Sequence, residues 1–206
     1  MKTIASTALP AHVQQPRYDR EQLRSRIVHF GFGAFHRAHQ ALLTNRVLNA
    51  KGGDWGICEI SLFSGDVLMG QLRAQDHLFT VLEKGAEGNQ PIIIGAVKEC
   101  LNAKLDSLAA IIEKFCEPQV AIVSLTITEK GYCIDPATGK LDMRNSRILH
   151  DLEHPSEPHS APGILVEALH RRRERGLPAF TVLSCDNIPD NGHVVKNAVQ
   201  IGRAHV

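Results

Sequence analysis

The sequence holds no run near the roughly 18 apolar residues that a membrane-crossing helix needs. Met1 to Gln15 is mildly polar and has no apolar core of signal-peptide length. Charge of one sign is lacking as well. Lys and Arg number 23 against 22 Asp and Glu, a formal net charge of +1, which offers nucleic acid no electrostatic footprint. The one basic run, Arg171, Arg172, Arg173 and Arg175, reads as a solvated helix face. Cysteine is sparse and unpatterned. Cys58, Cys100, Cys116, Cys133 and Cys185 are odd in number, widely spaced and form no CxxC pair. That fits reduced thiols in the cytoplasm, not a disulfide framework or a zinc site. No internal repeat is visible.

What is present is an ordinary globular composition, 43% hydrophobic and 22% charged over 206 residues, enough for one large domain with a core. Residues 1–24, with Pro10 and Pro16, form an arm. Residues 25–200 then alternate apolar strands with amphipathic helices. Strand-type runs lie at 26–30, 56–62, 78–83, 91–97, 120–125 and 179–185. Helical patterns lie at 35–50, 105–116 and 164–175, the first with Phe35, Ala38, Leu42, Leu43, Val47 and Leu48 on one face. Gly176 and Pro178 close the last of these. The alternation predicts an α/β fold with a doubly wound, mostly parallel sheet. The 78–97 segment, with a hairpin-type loop at its centre, breaks the alternation as an antiparallel insertion.

The first strand–turn–helix carries the sharpest motif, Gly31-Phe32-Gly33-Ala34-Phe35-His36. Gly31 permits the tight turn, Gly33 lets backbone approach a pyrophosphate, and the helix start supplies free amides. The third glycine of the common fingerprint falls on His36, so helix and sheet must meet differently there, with Ala34 and Ala38 as the small residues. His36 and His39 form HxxH but lack the glutamate of a zinc hydrolase. They suit phosphate contact or a structural polar network with Arg37, and no metal is expected. Asp66 follows the second strand. It serves either to hold the adenosine ribose hydroxyls or to cap the next helix. Thr126, Thr128 and Glu129 leave the most buried strand, where ligands of such sheets sit. The threonines serve equally as loop hydrogen-bonding groups. Asn187 leaves the last strand and can donate to a developing alkoxide oxygen or make an Asx turn, while Asp190 starts the next helix.

The stretches GFGAFHRAHQA (31–41), WGICEISL (55–62), SLTITEKGYC (124–133) and LSCDNIPDNGH (183–193) together resemble the long-chain polyol dehydrogenases, the mannitol dehydrogenase family, and within it the fructuronate reductase branch most. The resemblance runs from about Ile27 to Val199. It implies a Rossmann-type domain followed by a helical domain, and NAD-dependent interconversion of a secondary alcohol and its ketone. The substrate it implies is a sugar acid or polyol, D-mannonate and D-fructuronate first, with mannitol or arabitol as the alternative. Gly31, Phe32, Gly33, Ala34 and Phe35 would line the pyrophosphate turn, and Asp66 would select NAD. Thr126 and Thr128 would face the cofactor, Glu129 would lie by the nicotinamide and a proton path, and Asn187 would hold the substrate oxygen.

The same resemblance puts the catalytic lysine, a second asparagine and a histidine on the helical domain. Lys130 and Lys196 match no catalytic motif. Residues 201–206 resemble a translated sequencing adapter, so they are expected to be a non-native tail on a truncated reading frame. The 206 residues are then expected to bind NAD without turnover, as a binding module. The whole protein is expected to be monomeric or weakly associating.

Overall fold

The computed structural model describes residues 4, 8–62, 64–86, 88–135 and 138–204, with side chains through 200. Within 201–206, the expected tail, backbone is described to Ala204 and the last two residues lie outside the described set. The chain divides into two compact units, 1–106 and 107–206. No helix among the described residues is long and apolar enough to cross a membrane.

The first unit is built on three parallel strands, β1 (Arg24–Phe30), β2 (Trp55–Ser61) and β5 (Val97–Asn102), with β2 in the middle. Val28, Phe30, Ile57, Cys58 and Ile60 are buried almost completely, as parallel strands covered on both faces require. Helices α1 (Ala34–Ala38) and α2 (Gln40–Lys51) connect β1 to β2, and α3 (Asp66–Ala74) follows β2. The expected insertion is there: β3 (Phe79–Gly85) and β4 (Gly88–Ile94) pair antiparallel. The arm is tied to it through a bridge between Gln14 and Ile92.

Three details depart from the sequence reading. Strand β5 falls at 97–102, beyond the run that ended at Val97, because Lys98 and Glu99 break its apolar pattern. The first helix bends at His39 (φ −120°, ψ −89°) into two pieces. Its inward face is His36, Ala41, Leu42, Asn45 and Leu48, while Phe35, Ala38, Leu43 and Val47 are exposed. Polar side chains occupy the core side here. Asn45 accepts from the Tyr18 hydroxyl at 2.6 Å and from the Gly95 N–H at 3.0 Å, so an apolar count mistakes which face is inside.

The second unit pairs β6 (Ile122–Leu125) with β7 (Thr181–Ser184) in parallel. Its helices are α5 (Leu108–Phe115), α6 (Thr128–Gly131), α7 (Ser146–Glu153), α8 (Ala161–Glu174) and α9 (Asn191–Ala204), after the short α4 (Ala103–Asp106) of the first unit. Ser160 caps α8 by accepting from the Gly163 N–H, and Gly176 (φ 65°) ends it as expected. The arginine run is a solvated face only in part: Arg173 and Arg175 are exposed, but Arg172 is not. Arg172 is 1% exposed and donates to the carbonyls of Phe115, Glu117, Val120 and Pro178. Arg171 and Arg175 pair with Glu113. Sequence shows the charges and not the carbonyls waiting for them.

Candidate functional site

The first unit offers a turn and a carboxylate at one edge of its sheet. β1 and β2 run parallel, with Phe30 opposite Ile60, so the Gly31 turn and the loop to Asp66 leave the same ends of neighbouring strands. Gly31 has φ 106°, a conformation that only glycine adopts without strain. Its N–H donates to the Ile60 carbonyl (3.1 Å) and its own carbonyl accepts from the Gly33 N–H (2.7 Å). Gly33 is exposed, and a Cβ there would meet nothing nearer than the Gly31 oxygen at 3.9 Å. The space over Gly33 is therefore open to a ligand. The first helical bond runs from the Arg37 N–H to the Gly33 carbonyl, which leaves the preceding amides of α1 without a helical acceptor.

The other predicted residues sort themselves by exposure. Ala34 and Phe35 are exposed beside Gly33, and Phe35 stacks on His39 at 4.2 Å. Phe32 points inward, packing edge-on against Phe79 at 5.4 Å with Arg37 over its ring, so its backbone alone is available to a ligand. Asp66 opens α3 after the left-handed Gly65 and pairs with Lys104 at 3.3 Å. Its carboxylate is partly exposed and available to hydroxyls.

His36 is not a surface group at this turn. Its Nε2–H donates to Glu59 Oε1 at 2.7 Å, with both side chains fully buried, and its ring stacks on His29 at 3.5 Å. It therefore makes the helix–sheet contact assigned to Ala34 and Ala38, both of which are exposed. Burial pushes the Glu59 carboxyl up against the pull of His36, and burial together with His36 pulls the His29 imidazole well down. The donor atoms of His29, His36 and Glu59 lie within 4.8 Å of one another. The two rings, however, are near parallel (16°) and 3.5 Å apart. Nitrogen lone pairs lie in the ring planes, and planes inclined by only 16° meet far from both rings. A zinc about 2.0 Å from each nitrogen would sit well out of both planes, so the two rings as arranged here do not converge on a metal position.

The second unit brings the remaining predicted residues to one strand edge. Leu125 lies opposite Ser184, so the loops after β6 and β7 leave side by side. Asp186 ties them together. Its Oδ2 accepts from the Ile127 N–H (3.1 Å) and the Tyr132 hydroxyl (2.7 Å), and its Oδ1 from the Thr128 N–H (2.9 Å). Ser184 bonds the same tyrosine oxygen at 2.7 Å. Burial, with the Asp186 charge adding to it, pushes the Tyr132 hydroxyl well above its ordinary range. Thr128 is held at φ 64°, an uncommon conformation for a β-branched residue. Asn191 donates to the carbonyls of Ser184 and Asp186 (3.2 and 3.1 Å), closing the loop on which Asn187 sits. Thr128, Glu129 and Asn187 are exposed and Thr126 is half-buried. Asp186, Tyr132 and Asn191 were missed in the sequence. The one signal for them was an aspartate directly preceding Asn187.

Residues 25–205 match the Mannitol dehydrogenase Rossmann domain. The chain belongs to the mannitol dehydrogenase family. It is 85% identical over 199 residues to the uncharacterized oxidoreductase YeiQ of Escherichia coli (strain K12), covering 97% of this chain and 41% of that protein. With the D-mannonate oxidoreductase of the same organism it shares 54% over 201 residues, again 97% and 41% of the two chains. The solved Pseudomonas fluorescens mannitol 2-dehydrogenase, a ternary complex with NAD and D-mannitol, superposes with a TM-score of 0.90 at 42% identity, covering 95% of this chain and 40% of that one. The chain thus spans about two fifths of these relatives, and within that span it has the family's Rossmann fold. The open turn at Gly33 and the carboxylate of Asp66 at the neighbouring strand end fit the pyrophosphate and ribose of a dinucleotide.

Proposed function

We propose that these residues are the cofactor-binding part of an NAD-dependent oxidoreductase that interconverts a secondary alcohol of a sugar acid or polyol with its ketone. The observation that carries the reading is the glycine turn at the end of β1, with Gly33 open to a ligand, together with Asp66, which opens α3 after the neighbouring parallel strand β2. A ribose diol can donate two hydrogen bonds to one carboxylate. A 2′-phosphate at the same place would meet a like charge, which supports NAD over its phosphorylated form.

NAD supplies the hydride acceptor when bound. On the substrate side, Asn187 presents an amide N–H to the oxygen whose charge develops, and Glu129 offers a carboxylate for a proton path. Thr126 and Thr128 border the same edge. D-mannonate and D-fructuronate are the preferred pair, supported by 54% identity to D-mannonate oxidoreductase against 42% to the mannitol 2-dehydrogenase. Five cysteines, none of them in a disulfide among the described residues, support a reducing, cytoplasmic setting.

Fluorescence titration of the 206-residue chain with NADH tests the reading. We expect saturable binding that Asp66→Ala weakens about tenfold, the loss of charge-assisted bonds to the ribose. The resemblance puts the catalytic lysine outside these residues, so fructuronate should not be reduced by them alone. No binding at millimolar NADH, or equal affinity in the Asp66 variant, would refute the proposal.

A further inference from the structure

The fully buried His36–Glu59 pair is unused by the chemistry above, and it is costly. His36 Nδ1 and Glu59 Oε2 find no partner among the described residues, and each such atom gives up its hydration without return. Buried ion pairs are commonly replaced by apolar residues with no loss of stability. A role in folding alone explains this cluster poorly.

Its connections point to the turn. Glu59 and His29 are register partners on β2 and β1. Glu59 fixes the His36 ring at 2.7 Å, and His36 stacks on His29 at 3.5 Å. The Gln40 side chain also bonds the His29 ring. The His29 Nε2–H then donates to the Gly31 carbonyl at 3.1 Å. In a trans peptide the carbonyl and the following N–H point in opposite directions. Holding the Gly31 oxygen toward His29 therefore aims the Phe32 N–H away from the cluster. Gly31 is where such a peptide could rotate, because a glycine at φ 106° has no Cβ to resist it. Rotation would release the Gly33 N–H from the Gly31 oxygen and turn a carbonyl dipole, instead of an amide, toward an approaching anion.

We infer that His29, backed by His36 and Glu59, is a positioning residue that locks the Gly31–Phe32 peptide in the orientation that accepts a dinucleotide pyrophosphate. The inference rests on the dinucleotide reading of the turn. His29 touches no ligand in this role and acts through the Gly31 carbonyl.

The test compares His29→Phe, which keeps a ring to stack on His36 but has no donor, with His29→Gln, which keeps an N–H. Two quantities are measured on the 206-residue chain: hydrogen exchange of the Gly33 amide without ligand, and the NADH dissociation constant. We expect His29→Phe to speed Gly33 exchange and to raise the dissociation constant about fivefold, the worth of one neutral hydrogen bond. His29→Gln should restore both in part. A purely structural role would lower the melting temperature and leave both quantities unchanged in the folded protein. Wild-type binding with unchanged Gly33 exchange or unchanged affinity in His29→Phe overturns the inference alone. Absence of NADH binding by the wild type overturns the dinucleotide reading and the inference with it. Should His29→Phe fail to fold, Glu59→Leu, which leaves His36 without its acceptor, carries the same expectation and the same refutation.

Discussion

Gly31 and Gly33 lie two residues apart and answer to different demands. Gly31 sits at φ 106°, so a side chain there strains the backbone whether or not a ligand binds. Gly33 sits at φ −82°, ψ 171°, extended backbone open to any residue, and a Cβ on it meets no atom within 3.4 Å. The fold does not require glycine at 33. A ligand approaching the turn would. We expect Gly33→Ala to melt at the wild-type temperature and to bind NADH about tenfold more weakly, a steric cost on the order of 1.4 kcal/mol. Calorimetry and an NADH titration check the two halves separately, and unchanged affinity would remove Gly33 from the site. At this scale the sequence was informative where chemistry is written in residue type. Glycine spacing located the turn, and the order of the residues placed Asp66 after β2. It was uninformative where role depends on direction. Phe32, Phe35, His36 and His39 are alike in the sequence as ring-bearing residues of the turn. Phe32 and His36 point into the core, and Phe35 and His39 stack on each other outside it.

Among the elements, the loops after β6 and β7 depend on one side chain. Asp186 satisfies the Ile127 and Thr128 amides and the Tyr132 hydroxyl, and so shapes the start of α6, from which Glu129 projects. Asp186→Ala would strip the Ile127 and Thr128 amides of their acceptor, leave the Tyr132 hydroxyl with Ser184 alone, and release Thr128 from its positive φ. We expect a loss of about 3 kcal/mol in urea unfolding, with faster hydrogen exchange at the Ile127 and Thr128 amides. Protection equal to wild type at both amides would show that the loop holds itself. Strands and the β3–β4 hairpin were legible because apolar runs and a glycine-rich loop state their own geometry. Strand β5 was not, since its Lys98 and Glu99 interrupt the pattern. Lys98 reaches back to the Arg20 carbonyl at 3.3 Å, and Glu99 is bonded by the Ser25 hydroxyl. Those partners are distant in sequence, so periodicity within a window has no access to them. The same limit hid the clamp at Asp186, whose amide partners lie 58 and 59 residues away.

Across the molecule, carboxylates divide into two groups with opposite acid behaviour. Glu113 is held below its ordinary range by Arg175 and Arg171, and Asp54 by Arg26. Asp106 is lowered as well, since Arg73 and the Asn102 N–H outweigh its burial. A group with a depressed folded pKa contributes stability above its unfolded value, near ~4, and loses it as pH falls through the folded value. Glu59 does the reverse, because burial raises it. The unfolded chain releases that proton near pH ~4.3 while the folded chain still holds it. Its effect on stability is therefore most favourable below ~4.3 and declines as pH rises through the window up to the folded pKa. The two groups meet just above the ordinary carboxylate range, so wild-type stability should climb from acid pH and then level or sag as Glu59 is forced to ionise. Glu59→Gln keeps a carbonyl oxygen for the His36 Nε2–H and removes the titration. We expect the melting temperature of Glu59→Gln, measured against wild type, to improve as pH rises from ~4 and then to hold a plateau. Calorimetric scans of both proteins in matched buffers give this difference directly. A difference that stays constant across that range would mean that Glu59 holds the same proton in the folded and unfolded chains, and that its burial is not felt by its charge.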